Sequence, residues 1–127
     1  MPDEPRYQIR VEPVSTYIAD KSDPSRDQFV FAYTIRVTNT GTVAAKLVSR
    51  HWIITDGEHR VQEVRGAGVV GQQPLLAPGE SFEYTSGTSL GTPVGTMRGS
   101  YRMEAADGHE FDAPIPSFTL SVPRTLH

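Results

Sequence analysis

Between residues 28 and 39 every second side chain is large and apolar: Phe29, Phe31, Tyr33, Ile35 and Val37, with Val30, Ala32, Thr34 and Arg36 between them. Successive side chains of an extended chain point to opposite faces, so this spacing puts all five on one side. A helix would scatter them around its axis. The segment predicts a strand with one face committed to a core, and that face needs a second layer to cover it. No window of the chain carries a helical period of useful length, so the covering layer has to be another sheet.

The other segments supply it. Residues 7–18 alternate Ile9 and Val11 with Arg10 and Glu12 until Pro13, which cannot donate to a ladder and places the segment at a sheet edge. Residues 19–26 are polar, contain Pro24 and read as a loop. After the turn residues Asn39, Thr40, Gly41 and Thr42, residues 43–55 read as a strand with Val48, Trp52 and Ile54 on one face. Trp52 is the only tryptophan, and on a central strand it reads as a core filler rather than a ligand platform. Asp56-Gly57 predicts a two-residue type I′ hairpin leading to a short strand at residues 60–64.

Residues 65–79 read as one long loop held down by Leu75, Leu76 and Pro78, with Pro78-Gly79 suited to the centre of a type II turn. Phe82 and Tyr84 alternate with Ser81 and Glu83 in a strand over 80–85, and the Gly, Ser and Thr-rich residues 86–95 read as a second long loop. Residues 96–105 predict a strand with Met97, Gly99, Tyr101 and Met103 in register, Gly99 marking a bulge or a close approach of another backbone. Asp107-Gly108 turns the chain into a last strand. Its inward set changes parity from Phe111, Ala113 and Ile115 to Phe118, Leu120 and Val122 across Pro114 and Pro116, as a bulge or bend would require. About seven such strands describe an all-β fold, an antiparallel β-sandwich. The chain reads as a single domain over 1–127, with an ordered sandwich at about 7–122 and short tails.

Charge and composition narrow the function. A formal charge of −3 with only Lys21 and Lys46 as lysines leaves no basic face for a polyanion, so no nucleic-acid partner is expected. A chain without cysteine has no disulfides, thiolate zinc site or cysteine nucleophile, which suits the cytoplasm. Neither a leader-like N-terminus nor an apolar run near the roughly 20 residues of a membrane span is present, so the expectation is a cytoplasmic protein with no membrane span, and not itself a pump.

The run Gly66-Ala67-Gly68-Val69-Val70-Gly71 has the spacing of a pyrophosphate-binding loop. That use needs a following helix, and Gln72, Gln73, Pro74 and then Pro78-Gly79 leave no room for one. The run therefore reads as a loop between strands, serving either tight packing with positive φ or binding. Gly66, Gly68, Val69, Val70 and Gly71 are the candidate binding loop. By strand order they share one end of the sandwich with Asn39 and Gly41 and with Asp107 and His109, while the Asp56-Gly57 turn falls at the other end. Arg65 is the one basic residue beside the loop, too little to balance a nucleotide. His51, His59, His109 and His127 show no paired spacing, so no metal ligand set and no cofactor is expected. No serine stands in a nucleophile elbow; no catalytic residue is named, and the chain is expected not to be an enzyme.

Three stretches together resemble the ApaG family: residues 50–56 (Arg-His-Trp-Ile-Ile-Thr-Asp), residues 64–79 with the glycine run and the Leu-Ala-Pro-Gly turn, and residues 82–101 with Thr92-Pro93-Val94-Gly95-Thr96-Met97-Arg98-Gly99-Ser100-Tyr101. The resemblance runs from about residue 7 to 122. It implies a fibronectin type III-like or immunoglobulin-like sandwich. It also implies an association with cobalt resistance and magnesium efflux, and a binding role like that of the domain in F-box proteins and a polymerase-delta-interacting protein. It brings no catalytic residues, and of its motifs only Gly66, Gly68 and Gly71 carry over as a site. The expectation is a non-enzymatic interaction module contacting an unidentified protein partner through its loops. The alternative is a weak divalent-metal or pyrophosphate binder using the glycine loop.

Overall fold

Phe29, Phe31, Tyr33, Ile35 and Val37 are all buried on one face of a single strand, as their alternation requires. The computed structural model describes residues 5–123, so the expected tails at 1–4 and 124–127 lie outside the described residues. Its strands are β1 (Ile9–Tyr17), β2 (Phe29–Asn39), β3 (Ala45–Asp56), β4 (Val61–Ala67), β5 (Leu75–Leu76), β6 (Ser81–Leu90), β7 (Val94–Ala105) and β8 (Glu110–Ser121). They form two antiparallel sheets, β1-β2-β6 and β4-β3-β7-β8, with β5 added to β3. This is the fibronectin type III-like sandwich. Between the sheets, Phe31, Ile35, Val37, Leu47, Trp52, Met97, Tyr101 and Leu120 are almost wholly removed from water. Burial of each large apolar side chain contributes about 1.5–3 kcal/mol. No helix among the described residues is long and apolar enough to cross a membrane.

Several local expectations change. Residues 86–95 are not a loop: Ser86 to Leu90 continue β6 and pair with Tyr33 to Phe29, leaving a short connection at 91–93. Glycine, serine and threonine make a weak strand in isolation, but β2 offers a long unpaired ladder. Ser86 and Thr88 keep the inward parity that ends at buried Leu90. The 65–79 loop is shorter for the same reason, since β4 runs on through Ala67 and β5 returns to β3. Within it Leu76 is buried and holds the segment down, whereas Leu75 is exposed.

The Asp56-Gly57 turn is not type I′. Asp56 N–H donates to the Arg60 carbonyl (3.0 Å) and His59 N–H to the Asp56 carbonyl (3.1 Å), enclosing residues 57–59 with His59, not Gly57, at positive φ (65°). The Asp56 carboxylate selects this form by accepting from the Glu58 and Arg60 amides and from Arg60 Nε. In β3 a bulge between Leu47 and Ser49 moves Val48 out of the Trp52 and Ile54 face, and Leu47 takes the buried place.

Other expectations stand. Pro13 lies in an edge strand, and Gly79 (φ 87°) follows Pro78 in a turn closed by Glu80 N–H on the Ala77 carbonyl (2.9 Å). The register of β7 with β8 shifts between Met97 and Gly99, where Pro116 and Ser117 let β8 change parity. Gly99 meets the backbone of β3 closely.

One asymmetry of the sandwich sets where the site lies. β1 packs along β8, with Ser15 Oγ donating to the Thr119 carbonyl (2.9 Å), so that flank is closed. On the other flank β4 and β6 are the outer strands of their sheets and stand apart. The sandwich is open there.

Candidate functional site: the glycine tip and the cleft beneath it

The three glycines of the run do three different things. Gly66 lies within β4 opposite Arg50, and a Cβ on it would sit 2.8 Å from the Arg50 guanidinium, so its bareness lets that side chain lie across the strand. Arg50 Nη1 donates onward to the carbonyls of Ala67 (3.0 Å) and Gly68 (2.9 Å). Gly68 has φ 59°, and a Cβ there would meet the Gln72 carbonyl oxygen at 2.2 Å. Gly71 has φ 79° and open space around it, so only its backbone conformation matters.

Between Gly68 and Gln72 the chain makes a tight tip. Val69 and Gln72 exchange amide hydrogen bonds of 2.8 and 2.9 Å, Gly68 N–H donates to the Val48 carbonyl, and Gln73 Nε2 donates to the same oxygen. Three amides that a phosphate would need are therefore committed to carbonyls. Val69 is fully buried under the tip. Val70 is 51% exposed and holds φ 43°, a left-handed conformation that is costly for a β-branched residue.

Beneath the tip, the gap between β4 and β6 is a two-lobed cleft. One lobe, about 270 Å³, is bounded by the tip and Tyr84; the other, about 280 Å³, is bounded by Ile54, Val64 and Thr88. Tyr33, Arg50, Trp52 and Ser86 line both. Trp52 packs edge-on against Tyr33, Tyr101 and Phe118 at centroid distances of 5.3, 6.5 and 6.0 Å. It is core, as expected, and it is also a wall of the cleft. Its indole N–H is buried and has no hydrogen-bond partner among the described residues.

The Tyr84 and Tyr101 hydroxyls hydrogen-bond to each other across the sheets at 2.5 Å. Burial pushes Tyr84 up to about 12 and Tyr101 higher still, with the Arg50 charge opposing both weakly. Both hydroxyls thus stay protonated well past neutrality. Because the folded pKa of Tyr84 exceeds its ordinary value of 10.0, its stabilising contribution is complete below pH 10 and is lost as pH rises through about 12. Urea titrations should show unfolding free energy falling by about 3 kcal/mol over that window on account of Tyr84. The Tyr84→Phe chain should lose less, and equal slopes in the two proteins would refute the assignment.

The remaining sequence candidates form a different group. Asn39 is 1% exposed and its side chain is spent on the backbone of Gly41, Val43 and Leu76. Gly41 is buried, with the Arg6 carbonyl oxygen 2.3 Å from where a Cβ would be. Asp107 and His109 lie at the same end, joined to that turn through residues 6–8: Tyr7 stacks on His109 at 4.1 Å and donates to Asp107 Oδ2. The Tyr7 bond and the His109 amide hold the Asp107 carboxyl below its ordinary range. Among the described residues no hydrogen bond joins Gly66, Gly68, Val69, Val70 or Gly71 to this group.

On the outer face of β3, His51 Nε2 meets Glu63 Oε1 at 2.8 Å, and Arg102 is held by Glu110 and Asp112. Among the described residues no three His, Asp or Glu side chains gather where a metal ion could be held. What the sequence reading missed is Arg50. The available signal was its parity, since it shares the inward face of β3 with Trp52 and Ile54, and a charged residue at an inward position asks for a reason.

The family profile described as the ApaG domain matches residues 19–105 of the chain. Among curated relatives carrying the name Protein ApaG, that of Azoarcus sp. is 67% identical with 95% of each chain covered, and that of Thiobacillus denitrificans is 63% identical with 96% of each covered. The crystal structure of a Bordetella pertussis protein described as ApaA superposes with a TM-score of 0.92 at 60% identity, covering 98% of this chain and 100% of that one.

Proposed function

The chain belongs to the ApaG domain family, and we propose that it acts there as a non-enzymatic binding module whose glycine tip docks a protein partner. Val70 carries this reading. A β-branched side chain is held at φ 43° and half in water at the point of a turn closed by the paired Val69 and Gln72 hydrogen bonds, so the fold bears a backbone cost that no packing of Val70 repays. An apolar side chain on a rigid projection is the kind of anchor that a partner's pocket takes up with little further loss of entropy. The three committed amides of the tip leave the pyrophosphate reading with less support. The cobalt and magnesium association is read as acting through the partner, and the cysteine-free composition favours the cytoplasm as the place of action.

Affinity capture from the cells of origin, with wild type and Val70→Asp side by side, tests the reading. The aspartate falls on an exposed position, so circular dichroism should be unchanged. The expected result is a partner retained by wild type and weakened by about tenfold or more in the variant. Identical partner sets at equal recovery would overturn the docking role of the tip.

A further inference from the structure

We propose that the cleft between β4 and β6 is a binding site for a small carboxylate with an apolar or aromatic body, and that Arg50 is the group that takes the carboxylate. This does not rest on the tip docking a protein. It rests on the hydrogen-bond donors in and beside the cleft.

Arg50 has five N–H groups in a planar fork. Nη1 is used twice, on the Ala67 and Gly68 carbonyls, which fixes the plane of the guanidinium. The Nε and Nη2 edge finds no acceptor among the described residues, and Arg50 faces no carboxylate, whereas Arg10, Arg60, Arg65 and Arg102 each do. That free edge is the one that grips two carboxylate oxygens side-on.

Two more donors are left over nearby. Trp52 is 2% exposed and its indole N–H is unpartnered among the described residues, an uncommon state for a buried polar atom. In the Tyr84–Tyr101 pair one hydroxyl donates to the other, so the second proton is without an acceptor among the described residues. Among the described residues no Asp or Glu lines either lobe. The cleft is therefore rich in donors and poor in charged acceptors, and it carries the single positive charge of Arg50.

Those facts select the ligand. One charge in a partly desolvated site balances a monoanion, while a phosphate dianion would leave excess negative charge there. A planar carboxylate fits the one free guanidinium edge. Tyr33 and Trp52 stand behind both lobes and, at 6% and 2% exposure, leave a small patch of ring surface for an apolar or aromatic body to meet. Each lobe is close to the lower end, about 300 Å³, of the usual range for ligand pockets.

Trp52, the only tryptophan, reports on its own site. The native chain is titrated with phenylacetate, with the neutral isostere phenylacetamide, and with inorganic phosphate and pyrophosphate, following Trp52 emission. The expected result is a saturable change with phenylacetate at millimolar concentration and none with the other three. Arg50→Lys, which keeps the charge but loses the fork, should weaken binding by about tenfold. Because Arg50 also holds the tip, a second variant leaves it in place: Ser86→Glu puts a carboxylate into the cleft and should abolish the response with circular dichroism unchanged. Equal binding of phenylacetamide, binding of phosphate in place of phenylacetate, an unchanged titration in Ser86→Glu, or no response to phenylacetate would each overturn the assignment.

Discussion

Asn39→Ala should lower the unfolding free energy by about 3 kcal/mol or more, among the largest effects of any single substitution in this chain. The side chain is 1% exposed and makes three hydrogen bonds to backbone: Nδ2 donates to the carbonyls of Val43 and Leu76, each at 2.9 Å, and Oδ1 accepts from the Gly41 amide at 2.9 Å. Alanine leaves all three groups without that partner, two of them at buried bonds and the Val43 carbonyl at a part-buried one, at about 1–3 kcal/mol for each one that stays unpaired. The loss reaches beyond the turn, because the Leu76 carbonyl belongs to β5 and the Asn39 carbonyl itself accepts from Gly79 N–H. Asn39→Asp keeps the acceptor and loses the donors, so it should be comparably damaging. Denaturant titration with an unchanged m-value measures the effect. A loss below about 1 kcal/mol would show that the backbone groups find other partners.

Gly99→Ala should cost about 3 kcal/mol, at the upper end of what overpacking does. A Cβ at this position would lie 2.0 Å from the His51 carbonyl oxygen and 3.2 Å from the Trp52 Cα, both of them backbone, so no side-chain rotation relieves the clash. β3 and β7 are the two inner strands of their sheet and would have to separate beside the buried Trp52. Gly108→Ala is the matched control. Gly108 has φ 89° with nothing within 4 Å, so it bears only the conformational penalty of about 1–2 kcal/mol for a left-handed alanine. Thermal unfolding of the two variants side by side separates close approach from backbone conformation. Equal shifts in Tm would contradict the difference.

Where the structure departs from the sequence reading, the cause is a specific partner group, remote in the chain for β6 and Gly66 and local for the Asp56 turn. Ser86 to Leu90 look like a loop because their composition is weak for a strand, and they become one because β2 presents a ladder edge that needs a partner. His59 rather than Gly57 takes the positive φ because the Asp56 carboxylate organises the turn from within. Spacing and family resemblance put Gly66 in a candidate binding loop, yet its place is inside β4, where it makes room for Arg50. The parity change across Pro114 and Pro116 was legible because it concerns residues adjacent in sequence.

The alternation of apolar residues, the lack of any helical period and the placing of proline and glycine were enough to determine an antiparallel sandwich with Trp52 in its core, because strand periodicity is a property of a few consecutive residues. Which two strands would stand apart at the open flank, and hence that Tyr33, Arg50, Trp52 and Tyr84 would share one cleft, was decided only by the packing of the sheets. Those residues are far apart in the chain, and no short window of sequence carries the distance between them.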